Sequence, residues 1–423
     1  MGHLKAYRLK LYPTRSQAAA LARHAGSCRW LWNHLLAKQK ARYEADGTFA
    51  FFHDMSKMLP GLKKEFPWLS EAPSNSLVRV CRNLDLALRK CFREGAGFPR
   101  FKARGRCRES FYVINQALRI EPDARRAFLP KLGPVRFRTG RLPEGRIVGA
   151  NVAWNGRAWE LTAQCDTEEQ VVAAPVVPDT TIGVDLGLSD LMVRSDGVKV
   201  KAPKRLRKAL KRLERAQRVL ARRRKGSRNR ARQARLVGRI HAQVRDQRRD
   251  VQHKATSALV KAASAVVTED LNVKGMVRNR RLALSISDAG WGEMLRQVAY
   301  KCQWAGKAHI KAGRFEPSTQ RCSSCGTVRS GDDRLRLHHR THRCDGCGHE
   351  MDRDLNAALN LRRIGLETLG LEDVGRVTPE RAVEIRLPAD ACGEASGGRA
   401  ASATLSRASM KQEAEPGSTE LSA

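Results

Sequence analysis

The sequence predicts a multidomain fold that joins all-α, all-β and α/β parts, on three observations. The chain has 423 residues, room for two to four domains at about 150 residues each. Helical spacing governs the first quarter and gives way to strand-like alternation between about residues 110 and 170. Beyond the Pro-bearing stretch VAAPVVPDTT, strands that end in acidic residues alternate with amphipathic helices, the pattern of an α/β domain.

Residues 6–12 alternate apolar and basic, with Tyr7, Leu9 and Leu11 on one face, and predict a short strand. Thr14 to Gln17 fits a capping box, and a long helix follows through Trp32 and Leu36. A second helix is predicted from about Ser74 to Glu94, its Leu77, Val80, Cys81, Leu84, Leu88 and Cys91 at core spacing. In VAWNGRAWELTAQ, Asn155-Gly156 fits the two positive-φ positions of a type I′ turn, and Trp159, Leu161 and Ala163 alternate after it. Residues 110–170 therefore read as a small β-barrel or an open sheet, with the N-terminal strand a candidate to complete it. From Thr181, TIGVDLGLSDLMVRSDGVKV reads as a strand, a turn and a hairpin closed by Asp196-Gly197. SAVVTEDL reads as a buried strand ending in acids, and SISDAGWGEMLRQVAYKCQWAG as one amphipathic helix. Residues 393–423 are rich in Gly, Ala, Ser and Glu and are expected to be disordered.

Charge narrows the function classes. Lys and Arg number 80 against 43 acids, a net charge of +37. Self-repulsion disfavours so basic a compact chain unless a polyanion neutralises it, and nucleic-acid phosphate is the natural one. An anionic membrane surface fits less well, because the basic residues are spread through segments that look folded. Residues 201–250 hold 21 Lys or Arg and only Glu214, Asp246 and Asp250 as acids. Leu206, Leu210, Leu213 and Leu220, then Val237, Ile240, Val244 and Val251, form apolar stripes either side of Lys225-Gly226-Ser227. They predict two antiparallel helices with basic outer faces. Lys204, Arg205, Lys208, Arg212, Arg222, Arg223 and Arg224 are the candidate phosphate contacts. No run of 18 apolar residues exists, and the first residues lack the apolar core of a signal peptide. Seven of the 11 cysteines are scattered, as in a reducing compartment, so a cytoplasmic protein is expected, associated with the nucleoid when bound to DNA.

The other four cysteines form two C-x-x-C pairs, Cys322 with Cys325 and Cys344 with Cys347. Such pairs can hold one zinc tetrahedrally at about 2.3 Å, and four thiolates leave no open position, which marks a structural metal. Gly326 and Gly348 let the backbone fold back so that amides donate to sulfur. His338, His339, His342 and His349 could replace a ligand but are expected at the surface or against nucleic acid. Three acids near strand ends or a helix start are candidates for hard divalent cations: Asp185 in GVDLGL, Glu269 in VVTED and Asp354 in DRDLNAA. Taken singly, each is more often a turn residue.

GVDLGL, TEDLNVKGM, SDAGWGEMLRQVAYKCQWAG, PSTQRCSSCG and DRDLNAALN, in this order, resemble the TnpB family of transposon-encoded RNA-guided nucleases, related to the type V CRISPR effectors. YRLKLYPTRSQAAALARHAGSCRWLWN and GFPRFKARGR resemble it too, so the likeness spans most of residues 5–365. The resemblance implies a RuvC-like, RNase H-type nuclease domain over 179–375 with a zinc ribbon inserted at 316–350. It also implies a wedge-like β-barrel from 1–12 and 107–178, a helical recognition module at 13–106, and a tail from 376 to 423. It assigns the catalytic acids to Asp185, Glu269 rather than Asp270, and Asp354, with Asp352 the competing choice. Thr268 stands where the family commonly has an aliphatic residue.

The implied activity is metal-dependent cutting of double-stranded DNA at a target matched by a guide RNA. It would use two Mg²⁺ or Mn²⁺ ions and structural Zn²⁺, with a separate transposase of the same element as a further partner. The alternatives are a guide-independent, structure-specific nuclease or transposase-type protein, and a non-catalytic zinc-ribbon regulator.

Overall fold

Alternation at the N-terminus becomes β1 (Leu4–Tyr12), with Tyr7, Leu9 and Leu11 buried on one face. The computed structural model describes residues 4–167, 171–336, 338–371 and 384–385, and the chain passes between two units at residues 169 and 170. In the first unit Thr14 caps α1 (Arg15–Asp46). Its hydroxyl accepts from the Gln17 amide at 3.2 Å, and the Gln17 side chain accepts from the Thr14 amide at 3.0 Å. The helical part continues with α2 (Phe52–Glu65) and α3 (Ser74–Glu94); α3 buries every predicted core position except Cys91, which is half-buried.

Six further strands follow: β2 (Ser110–Ile114), β3 (Arg119–Glu121), β4 (Arg126–Leu129), β5 (Gly133–Arg138), β6 (Arg146–Trp154) and β7 (Trp159–Asp166). The sheet order is β2-β6-β7-β1-β5-β4-β3, so the N-terminal strand is its centre. Among the described residues the ladder stays open, because its edges are strands of five and three residues that do not pair with each other. The β6–β7 hairpin forms, but not through a two-residue turn. Trp154 pairs with Trp159 across four loop residues, and the Asn155 side chain accepts from the Arg157 and Ala158 amides at 2.8 and 2.7 Å. Asn155 thus mimics a backbone turn with its side chain, and only Gly156 takes a positive φ.

The second unit opens with β8 (Thr181–Asp185), β9 (Asp190–Arg194) and β10 (Lys199–Lys201), an antiparallel run turned at Gly197, φ 86°. The basic stretch forms α4 (Arg205–Arg222) and α5 (Arg228–Ala262), which pack on each other through Leu213, Ala216 and Ile240. The Asp288 carboxylate caps α4, accepting from the Leu206 and Arg207 amides at 2.8 and 3.1 Å. Next come β11 (Ala265–Glu269), α6 (Val273–Met276), α7 (Ala283–Ala289) and α8 (Trp291–Trp304). The single helix expected over SISDAGWGEMLRQVAYKCQWAG is broken between α7 and α8. Gly290 has φ 66°, and the Gln252 amide donates to the Ala289 and Gly290 carbonyls. A Cβ at Gly290 would meet Gln252 Nε2 at 2.6 Å, so the break depends on glycine.

Then follow β12 (Ala308–Ala312), the small pair β13 (Thr341–Arg343) and β14 (Glu350–Asp352), α9 (Arg353–Thr368) and β15 (Glu384–Ile385). The large sheet has the order β12-β11-β8-β9-β10-β15, with β12, β11 and β8 parallel. Its core joins Ile182, Val184, Val266 and Leu259 to Trp291 and Val298 of α8. The tail expected to be disordered, 393–423, lies outside the described residues.

Candidate active site and cysteine cluster

The register of the large sheet brings two of the three acids together. Val184 pairs with Thr268 across parallel β8 and β11, so Asp185 and Glu269 end neighbouring central strands. The third acid arrives on α9, which lies against β8 at almost no distance. A Cβ on Gly183 would meet the Ala358 carbonyl oxygen at 2.0 Å and the Arg362 amide nitrogen at 2.4 Å. Asp354 lies one turn before Ala358, and Asp185 two residues beyond Gly183, roughly 6 Å along each element. Arg362 reaches the Pro178 carbonyl before β8 at 3.2 Å while the Asp354 charge acts on Asp185 at its end, so helix and strand run antiparallel and the first turn of α9 comes over the strand ends. Gly365 repeats the device further along, where a Cβ would meet Val267 Cγ2 at 2.2 Å.

The electrostatics record this convergence. Asp185 keeps a little surface open to solvent but is packed by protein on nearly all sides. Burial first, then the charges of Glu269 and Asp354, hold its proton affinity well above the usual carboxylate range, with Arg353 opposing. Burial also raises Glu269, while the Ser318 hydroxyl, donating to Oε1 at 2.8 Å, works against the shift. Asp354 turns onto arginines: Arg353 donates to Oδ1 at 3.0 and 3.2 Å, and Arg340 Nη1 stands 3.7 Å from Oδ2.

Asp352 is otherwise engaged. Its Oδ1 caps α9 by accepting from the Asp354 and Leu355 amides at 3.0 Å, and its Oδ2 pairs with Lys199 at 2.7 Å. Thr268, the unusual residue before Glu269, is fully buried, and its hydroxyl bonds His309 Nε2 at 3.0 Å, tying β11 to β12.

The four cysteines do meet. Among the described residues they are the group of three or more potential ligands whose donor atoms all lie within 4.8 Å of one another. Gly326 and Gly348 have φ 81° and 69°, and the turns close with Gly326 N to Cys322 O at 3.0 Å and Gly348 N to Cys344 O at 2.9 Å. The backbone amides of Ser324 and Cys325 act to lower the proton affinity of Cys322, against the raising effect of burial, and that of His349 acts likewise on Cys347. His338 and His339 are exposed as expected, whereas His342 is buried.

Of the candidate phosphate contacts, Lys204, Lys208, Arg212, Arg222 and Arg224 are exposed, and Arg205 and Arg223 are half-buried. Arg212 also spans the hairpin to Gln243 at 2.8 Å. Sequence reasoning gave no role to Ser318, Asn356 or Asn360, although two Asn one turn apart in the otherwise apolar LNAALNL were a readable signal; both are buried.

Three family profiles match the chain: "Probable transposase" (OrfB of IS605) over residues 164–280, "Cas12f1-like, TNB domain" over 291–361, and "Helix-turn-helix domain" over 1–48. In the last stretch the chain forms one strand and an unbroken helix, α1, rather than two helices. A Streptomyces pristinaespiralis protein provisionally named an RNA-guided DNA endonuclease is 33% identical, covering 97% of this chain and 96% of its own length. InsQ of Escherichia coli K12, under the same provisional name, is 34% identical over 86% and 93%. A solved Cas12f1–sgRNA–target DNA complex is 13% identical and covers 85% of this chain and 99% of that one, with a TM-score of 0.33, too low to carry an argument. No helix among the described residues is long and apolar enough to cross a membrane.

Proposed function

Since this chain belongs to the TnpB family, the OrfB proteins of IS605, we propose that it is an RNA-guided DNA endonuclease whose nuclease centre is Asp185, Glu269 and Asp354. The observation that carries the assignment is the meeting of Asp185 and Glu269 at neighbouring strand ends, with α9 pressed across them by Gly183.

The donor set suits hard divalent cations, Mg²⁺ or Mn²⁺. It offers only carboxylate oxygens; Asp185 is buried against like charge and Glu269 is raised by burial, an arrangement that a cation relieves. When bound, such ions would activate the attacking water and neutralise the leaving oxygen. The chain's own part is to hold Asp185 and Glu269 aimed together in a site that favours their protonated forms until a cation binds, and to bring Asp354 over them. Asp352 serves α9 as its cap and is not assigned to the metals. The cysteine cluster is read as a structural zinc site, because four soft thiolates close it to substrate.

The second unit is read as a RuvC-like domain over 179–375 carrying the zinc ribbon at 316–350. The helical module at 13–106 and the sheet of 1–12 and 107–178 would bind the RNA scaffold and the motif beside the target. The exposed Lys204, Lys208, Arg212, Arg222 and Arg224 would take phosphates, and base pairing would choose the sequence. A separate transposase of the same element remains an expected partner. The test is Mg²⁺-dependent cutting of guide-matched duplex DNA by the RNA-loaded protein. Asp185→Ala should abolish cutting and leave DNA binding intact; equal cutting by the variant would overturn the assignment.

A further inference from the structure

We propose that Ser318 is a positioning residue for Glu269, and that Asn356 and Asn360 make its placement depend on the cysteine cluster. The proposal rests on the reading of Glu269 as a cation ligand.

The chain leaves β12 at Ala312 and reaches Cys322 through a stretch without regular structure, so something other than a backbone ladder must fix Ser318. Its side chain donates to Glu269 Oε1 at 2.8 Å, and the residue is 3% exposed. This leaves Oε2 as the oxygen to face a cation. The Ser318 carbonyl accepts from the Asn360 amide at 2.8 Å. The same Asn360 amide donates to the Arg321 carbonyl at 2.7 Å, and Asn356 donates to that carbonyl at 2.7 Å. Asn356 Oδ1 then accepts from the amide of Ser323, inside the first C-x-x-C, at 2.9 Å. Both Asn side chains are fully buried, one turn apart on α9, the helix whose first turn carries Asp354.

A buried amide left without partners is costly, so the two Asn hold this segment in the one register that satisfies them. One hydrogen-bonded path thus runs from the cysteine knuckle through α9 to the Glu269 carboxylate. Its far end is sensitive to metal. Cys322 and Cys347 sulfurs stand 3.8 Å apart, and those of Cys325 and Cys344 3.5 Å. As thiolates they repel at that distance unless a cation holds them. Opening the knuckle would withdraw the Ser323 amide from Asn356 and loosen the segment that carries Ser318. The cysteine cluster therefore supports the nuclease carboxylates through this path as well as the ribbon.

The test uses the full-length, RNA-loaded protein. Mn²⁺ binding is followed by electron paramagnetic resonance, beside zinc content, DNA binding and the Mg²⁺ dependence of cutting. Ser318→Ala should weaken Mn²⁺ binding about tenfold, the low end of outer-shell effects on metal sites, and raise the Mg²⁺ needed for half-maximal cutting alike. Zinc content and DNA binding should not change, and Ser318→Thr, which keeps a hydroxyl, should restore most of the loss. Asn356→Ala should weaken Mn²⁺ binding with zinc retained, and should add little on top of Ser318→Ala. Unchanged Mn²⁺ affinity in Ser318→Ala, while Asp185→Asn abolishes binding, would overturn the role of Ser318 and leave the assignment of the acids standing. Unchanged affinity in both would overturn that assignment, and the proposal with it. Full, independent additivity of Asn356→Ala and Ser318→Ala would overturn the path between them.

Discussion

Gly183→Ala is the sharpest perturbation of the way α9 is seated on β8. The added Cβ would sit 2.0 Å from the Ala358 carbonyl oxygen, where ordinary contact begins near 3.4 Å, a shortfall of about 1.4 Å. The second contact, 2.4 Å to the Arg362 amide, is also backbone, so no side-chain rotation relieves either. The helix must move away from the strand. Overpacking of this kind costs about 1–3 kcal/mol, against a total stability of about 5–15 kcal/mol, so the protein should stay folded. The shift carries Asp354 with it, and a misplacement of about 1 Å costs on the order of a hundredfold in rate. Guided DNA cutting at saturating Mg²⁺ should therefore fall about a hundredfold, with a lower unfolding temperature but intact zinc and DNA binding. Gly365→Ala, which meets a side chain at the far end of α9, should lose less activity. Cutting by Gly183→Ala within threefold of the parent, at an unchanged unfolding temperature, would show that α9 is not seated through Gly183.

Asp354→Ala should abolish cutting, whereas Asp352→Ala should cost about 1 kcal/mol of helix capping and keep more activity; the reverse order in a matched cleavage assay would exchange the roles of the two acids. Asp185→Asn should raise the unfolding temperature of the protein freed of divalent ions while abolishing cutting. The sign follows from the raised proton affinity of Asp185: its charge opposes folding above its folded pKa, and the penalty fades as pH falls through that value toward the ordinary carboxylate range. The same parent protein should thus gain stability on mild acidification, and Asp185→Asn should lose most of that gain; a flat response of the parent in calorimetry speaks against it. Changing Cys322 and Cys325 together to Ser should remove one zinc per chain, and undiminished zinc by elemental analysis would contradict the assignment.

Features written in local chemistry were legible in the sequence. The capping box at Thr14 and the span of α3 depend on residues three or four apart, and both appear as read. So do the strands ending at Asp185 and Glu269 and the two cysteine knuckles. What failed to show depends on distant partners. Gly290 looks like any helix glycine until Gln252, 38 residues away, takes its carbonyl. Asn155-Gly156 has the composition of a two-residue turn, but the Asn155 side chain satisfied two amides and lengthened the loop. The choice between Asp352 and Asp354 was open in DRDLNAA, and the Lys199 partner that occupies Asp352 lies 153 residues earlier. Gly183 sat unremarked inside GVDLGL, because only the approach of α9 shows why a side chain is excluded there.

A guide RNA that directs this basic protein would also neutralise much of its +37 charge. The most direct measurement is sequencing of the RNA that co-purifies with protein expressed beside its native flanking DNA, followed by cleavage assays before and after that RNA is stripped. One defined RNA is expected, with weak cutting by the stripped protein and recovery on re-addition only for DNA that matches the guide end. Full-rate cutting of any branched or duplex DNA by the stripped protein would contradict it and favour the guide-independent nuclease.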